Sequence, residues 1–263
     1  MTVKLIRKFI RYFQPLVSTS TGGLHLPLYH LVGGETGSPV DLAPEVFRSQ
    51  MEFLRNQVEL CHLNDALRLK NGETFKKTTV AVTFDDGYEN FYTHAFPVIQ
   101  EFQIPVMLFV PVNFIDRKMQ APIRSKITIP PCSWEQIREM LSTGLVSIGS
   151  HSMSHPDLRR IPEAAAHAEI SESREQLEQQ TGVSVSCFAY PKALWSRQLE
   201  NIVRKFYDSA VVASGTKMRA ETFNPYRLSR IPIRSDMPAD LGCILPYNVW
   251  LEERVSAWLR QLR

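Results

Sequence analysis

Apolar residues recur along this chain with two periods. Near the start, Leu5, Ile6, Phe9, Ile10 and Phe13 fall on one helical face and Lys4, Arg7, Lys8 and Arg11 on the other, predicting an amphipathic helix over residues 1–17. Its stretch 3–14 can contact an anionic membrane surface, or the helix can pack on its own domain and show its charges to water. From Leu24 the period becomes two, and Leu24, Leu26, Leu28 and His30 share one face of a predicted strand. Six more strand-like runs follow: 78–82, 104–110, 145–149, 185–190, 209–213 and 228–233. The run from Ile104 to Val110 is apolar at nearly every position, as in a parallel strand buried on both faces.

Between these runs the spacing is helical. Pro44 opens a helix carrying Val46, Phe47, Met51, Phe53 and Leu54, and a short helix is expected over 65–69. Residues 90–102 turn Phe91, Ala95, Val98, Ile99 and Phe102 inward. Ser133 and Gln136 form a capping box for a helix that Gly144 ends, and a long polar helix over 163–180 stops at Gly182. Helices are also expected over 197–206 and over 247–263, the latter carrying Trp250, Val255, Trp258, Leu259 and Leu262. Residues 114–132 hold three prolines and no period, and such long loops often edge a site.

Strands alternating with helices predict parallel βα units. The expected fold is α/β, a distorted, incomplete (β/α)7-type barrel of mostly parallel strands; a doubly wound open sheet is the alternative, because periodicity does not encode strand order. With 263 residues, 44% of them hydrophobic, the chain fits one domain, 1–263, with a barrel core over 24–235. A net charge of +3 without long runs of one sign gives no nucleic-acid footprint. Cys61, Cys132, Cys187 and Cys243 are far apart and read as reduced thiols. No stretch reaches the roughly 18 to 20 apolar residues of a membrane span. No cleavable signal is visible, so the expected location is the cytoplasm or the inner membrane face.

Chemistry concentrates at strand ends. Thr83-Phe84-Asp85-Asp86-Gly87-Tyr88 sets two carboxylates at the end of a β-branched run, with a glycine behind them that permits a sharp turn. His30, Asp85 with Asp86, His151, and Tyr190-Pro191 each end a different predicted strand, where parallel βα folds gather their catalytic groups. His151 and His155 are four apart, a spacing that puts both imidazoles on one side of a helical turn. Two histidines and one carboxylate make a three-ligand metal set with a position open for water. Of two adjacent carboxylates, one can bind the ion and the other act as general base, while an imidazole titrating near neutrality, His30, can protonate a leaving amine.

These residues resemble the polysaccharide deacetylases, carbohydrate esterase family four, over roughly residues 26–235. Thr83 to Gly87 matches the first motif of their NodB-homology domain, His151 to His155 with Pro156 the second, and Phe188-Ala189-Tyr190-Pro191 the third. Leu28-Tyr29-His30 matches the Leu-x-His motif, placed at the N-terminus as in the poly-N-acetylglucosamine deacetylase branch. The resemblance implies Asp86, His151 and His155 as ligands of a divalent metal, usually zinc, with iron, cobalt or nickel also used in the family. It implies Asp85 as base, His30 as acid, and the backbone N–H of Lys192 as a donor to the oxyanion. Tyr190, Pro191 and an exposed Trp195 are the candidate substrate contacts. The implied activity is metal-dependent removal of N-acetyl groups from a sugar in a polysaccharide, oligosaccharide or lipid-linked glycan. Two departures stand out: Lys192-Ala193 replaces the usual Tyr-Gly, and Ala189 replaces the arginine that often holds the base. Arg227 or Arg230 is the candidate substitute, and a weakly catalytic carbohydrate-binding protein is the alternative function.

Overall fold

The computed structural model describes residues 23–68, 77–214, 223–237 and 240–241. The helices expected over 1–17 and 247–263, and Cys243, lie outside the described residues. Seven strands form a closed barrel and follow one another around it in chain order: β1 (Pro27–Tyr29), β2 (Val82–Asp85), β3 (Val106–Val110), β4 (Val146–Ser150), β5 (Cys187–Ala189), β6 (Ser209–Ala213) and β7 (Leu228–Pro232). Every neighbouring pair is parallel, and β7 returns to β1. The narrowest seam joins β4 to β5 through Ser150 and Phe188. Helices α1 (Pro44–Gln57), α2 (Phe96–Phe102), α3 (Trp134–Ser142), α4 (Glu163–Thr181) and α5 (Arg197–Val203) connect the strands.

Side-chain alternation along the strands builds two apolar cores. Met107 and Phe109 of β3, Cys187 and Ala189 of β5, Val211 of β6 and Leu228 of β7 meet inside the barrel. Their neighbours Val106, Leu108, Val110, Phe188, Ala210 and Ile231 face outward and pack beneath the helices. Tyr29 of β1 shows why period two does not leave one face wet here: its ring stacks on Phe84 at 5.1 Å and meets the edge of Phe47 from α1 at 5.4 Å. Interior space is tight enough that a Cβ on Gly149 would lie 2.4 Å from the Phe109 ring.

The single strand expected from Leu24 to His30 is two strands. Residues Gly23–His25 pair with Thr78–Val80 in a separate three-stranded sheet, and only Pro27–Tyr29 enters the barrel. Both chains break at the same level, where the Ala81 N–H donates to the His25 carbonyl. Another difference is the helix over 90–102, which begins as a π turn over Phe91–Ala95 before α2. Pro97 has no N–H to return to the Thr93 carbonyl, so regular α geometry cannot run through that point. The capping box is formed as expected, with Gln136 N donating to Ser133 Oγ and Ser133 N to Gln136 Oε1. No helix among the described residues is long and apolar enough to cross a membrane.

Candidate metal-binding active site

Because all barrel strands are parallel, their carboxyl ends converge on one rim. Asp85 is the last residue of β2, and the next two residues both take left-handed backbone, Asp86 at φ 74° and Gly87 at φ 71°. That double turn brings both carboxylates, each almost fully buried, into one cluster. Gly87 is required twice over: its φ suits glycine, and a Cβ there would lie 2.6 Å from Val110 Cγ1.

His151 and His155 also meet, though not through the helical turn that their spacing predicts. Residues 151–155 form a loop in which Ser152 (φ 66°) and His155 (φ 53°) are left-handed. Serines hold this loop in place of helical hydrogen bonds. Ser152 N donates to Ser150 Oγ at 3.2 Å and His155 N to Ser152 Oγ at 3.0 Å. Both the backbone N–H and the hydroxyl of Ser154 donate to Glu169 on α4. The outcome is two imidazoles edge to face, with ring centroids 4.6 Å apart. His151 Nδ1 lies 2.8 Å from the Ala189 carbonyl; an acceptor there requires Nδ1 to be the protonated nitrogen and turns a bare Nε2 to the carboxylates. That Nε2 is 3.9 Å from Asp86 Oδ1, and His155 Nε2 is 4.0 Å from the same oxygen.

One donor atom each from Asp86, His151 and His155 falls within 4.8 Å of the others. The set fits a divalent cation on its chemistry, two imidazoles and one carboxylate. Burial lowers both histidines, His155 to about 2, so both offer neutral nitrogens at ordinary pH. Burial and then the neighbouring Asp85 charge push the Asp86 carboxyl well above its usual range. A cation at this point would offset both effects.

Asp85 has the opposite setting. Arg230 of β7, 1% exposed, grips it with two hydrogen bonds of 2.6 and 2.8 Å. Burial alone would raise this carboxyl, but Arg230 and then His151 outweigh it and hold it down to about 2. Of the two arginines considered from sequence, only Arg230 does this. Arg227 pairs with Glu200 at 3.0 Å, and its guanidinium carbon lies 4.4 Å from the Trp195 ring centroid.

His30 follows β1 and shares the field of Asp85, Arg230, His151 and Arg234, which places it in the same cluster. Its expected titration near neutrality is not met. Burial, partly countered by Asp85, takes the imidazole down to about 4, and its Nδ1 is buried without a hydrogen-bond partner. Lys192 is left-handed (φ 58°, ψ 15°) in the turn after β5, and its charge is among the groups that depress His155, behind burial and His151. Tyr190 is fully buried with its ring edge-on to Phe188, so its side chain backs the site instead of facing a substrate. Trp195, expected to be exposed, is half-buried: Nε1 donates to Glu200 Oε2 at 3.1 Å and Arg227 covers one face. Glu169 and Arg234 were not singled out from sequence, where each is one charged residue among many.

A model of the polysaccharide deacetylase family matches residues 72–207, more than half of the chain. The chain belongs to the polysaccharide deacetylase family. Among similar proteins is the poly-beta-1,6-N-acetyl-D-glucosamine N-deacetylase of Escherichia coli (strain K12), 29% identical over 113 residues. That match covers 40% of this chain but only 16% of the E. coli protein. The Staphylococcus aureus (strain MSSA476) protein of the same name is 23% identical over 199 residues, 72% of this chain and 67% of that protein. Two solved structures share the fold of this family member. The Streptococcus pyogenes deacetylase PplD in complex with acetate has a TM-score of 0.75 at 20% identity, covering 86% of this chain and 99% of that one. IcaB from Ammonifex degensii has a TM-score of 0.69 at 24% identity, covering 90% and 97%.

Proposed function

We propose that this polysaccharide deacetylase family member is a metal-dependent hydrolase that removes N-acetyl groups from an N-acetylated sugar and releases acetate. The observation that carries this is the division of labour between adjacent carboxylates: Asp85 is clamped in its ionised form by Arg230, while Asp86 lies with His151 and His155 in a ligand set. A divalent ion held by Asp86, His151 and His155, zinc being usual in the family, would acidify its water and polarise the amide carbonyl. Asp85 is placed to act as the base that would take the proton from the attacking water. Held at about 2, it is a weak base, suited to water that is already acidified.

The departing nitrogen must collect a proton. His30 is neutral in the resting site, so it cannot supply one from a stored charge. The proton taken up by Asp85 is the available one, and His30, whose imidazole feels the Asp85 charge, relays it to the amine. The left-handed turn at Lys192 offers its backbone N–H to the tetrahedral oxyanion, a role that tolerates the Lys192-Ala193 departure. Pro191, expected as a substrate contact, is buried like Tyr190 and backs the site, which leaves the uncovered part of Trp195 as the surface on which the sugar rests. The names of the N-acetylglucosamine deacetylases in Escherichia coli and Staphylococcus aureus favour an N-acetylglucosamine substrate.

His30→Ala tests the relay. Hydrolysis of an N-acetyl amide is expected to slow by about a hundredfold, while an activated acetyl ester, whose leaving group needs no proton, is expected to be nearly unaffected. Equal losses on both substrates in steady-state assays would contradict the role.

A further inference from the structure

The long loop after β3 lines a half-open cavity of about 510 Å³, a size typical of ligand sites. Phe114, Met119, Ile123 and Ile129 give it an apolar side, Arg117 and Arg124 give it positive charge, and no carboxylate lines it. Asp116, the only acid between residues 112 and 132, is engaged by Lys118 and by Trp134 Nε1. Among the described residues neither Arg117 nor Arg124 has an ion-pair partner, so two exposed arginines at the edge of an apolar wall are available to an incoming anion.

This loop is fastened to the reaction centre. Ile123 N donates to Tyr88 Oη at 2.8 Å, Glu89 N to the Pro130 carbonyl at 2.8 Å, and Cys132 N to the Gly87 carbonyl at 2.9 Å. Phe114 packs edge-on against the Tyr88 ring at 5.1 Å. The wall of the cavity is thus tied to the Gly87–Glu89 turn that carries Asp86, and Tyr88 is close enough to feel the Asp86 charge. The cavity and the two carboxylates thus flank one short stretch of chain, Asp85 to Glu89.

We propose that the cavity is a subsite for an oxyanion carried by the substrate next to the sugar that is deacetylated. Guanidinium groups recognise phosphoryl and carboxylate oxygens through paired, charge-assisted hydrogen bonds, and the apolar side covers the carbon skeleton next to the anion. The substrate class is an anionic N-acetylated glycan: a sugar phosphate, as at the head of a lipid-linked glycan, or a glycan with a uronic acid. This rests on the deacetylase reading for the reaction and adds the charge of what is bound.

The test compares the full chain with a double variant, Arg117→Asn with Arg124→Ser. Asparagine is chosen because Arg117 has φ 60°, a backbone it tolerates. Acetate release is measured from three substrates: the neutral N-acetylglucosamine trimer, an N-acetylglucosamine disaccharide with an anomeric phosphate, and an N-acetylglucosamine–glucuronic acid disaccharide. At least one anionic substrate is expected to have a KM about tenfold below the neutral one, the difference shrinking with added salt. In the double variant that KM rises about tenfold while kcat, and the KM of the neutral trimer, stay unchanged. Which anionic arm responds identifies phosphoryl or carboxylate. Equal handling of neutral and anionic substrates by the unaltered chain, or a uniform KM change in the variant, overturns the subsite. If no substrate releases acetate, the deacetylase reading fails separately. Calorimetric binding of the disaccharide phosphate then decides: a tenfold weaker variant supports the subsite, and equal affinities overturn it.

Discussion

Asp85→Asn is expected to cut acetate release by about a thousandfold while leaving metal binding intact, because under the proposed mechanism it removes the base and none of the three ligands. Asparagine keeps the shape of the side chain and one acceptor oxygen for Arg230, so the barrel should still close around it. The loss should appear in kcat and equally in kcat/KM, the signature of an interaction made in the transition state. It should not be relieved at alkaline pH, since an amide has no proton to lose. Metal analysis beside steady-state assays checks this. Turnover close to that of the unaltered chain, or loss of the metal together with the activity, contradicts the separation of base from ligand.

Arg230→Met is the second large effect, and its pH dependence distinguishes it from the first. Arg230 is the strongest influence holding the Asp85 carboxyl below its ordinary 3.8, at about 2. A carboxyl depressed in this way contributes stability that is fully present above its unfolded pKa and is lost as pH falls from about 3.8 through about 2. Without the guanidinium the burial influence prevails and the Asp85 pKa moves above its ordinary value. The variant should therefore lose activity by about a hundredfold at neutral pH and regain much of it at alkaline pH, as the acid limb of its rate profile moves upward. Arg230→Lys keeps the charge but not the two-point grip and should fall between. A variant profile that parallels the parent at every pH would show that Arg230 only packs, against Phe109 among others. Stability also bears on this: an unpaired buried carboxylate costs about 3–5 kcal/mol, and protonation of Asp85 is the escape from that cost.

Much of the site was legible in the sequence because its parts are local. Thr83 to Gly87 carries both carboxylates and the glycine that turns them, and a parallel barrel brings every strand's carboxyl end to the same rim. His30, Asp85, Asp86, His151 and Lys192 all gather there for that reason. What the sequence could not settle depended on contacts far apart along the chain. Arg230 reaches Asp85 across 145 positions, and only the closure of β7 against β1 decides that it, and not Arg227, makes the pair. The turn at His151 to His155 looks helical by spacing, yet the serines around the two histidines redirect its hydrogen bonds to side chains and to Glu169. The low titration of His30 comes from burial, which no local pattern reports. Trp195 read as exposed because nothing near it in sequence announces that Arg227 and Glu200 cover it. The loop over 114–132 was legible as a long loop but not as the lining of a cavity, since its shape depends on three hydrogen bonds to the Gly87–Glu89 turn.

The central claim is that acetate release requires a divalent ion held by Asp86, His151 and His155. The most direct test strips the full chain of metal, restores zinc stepwise, and measures bound zinc and acetate release from N-acetylglucosamine oligomers in the same samples. Activity should be absent without metal, rise in proportion to zinc up to one ion per chain, and remain absent in zinc-loaded Asp85→Asn. Acetate release that is independent of the metal, or a chain that binds no divalent ion after reconstitution with zinc, iron, cobalt or nickel, would contradict the account.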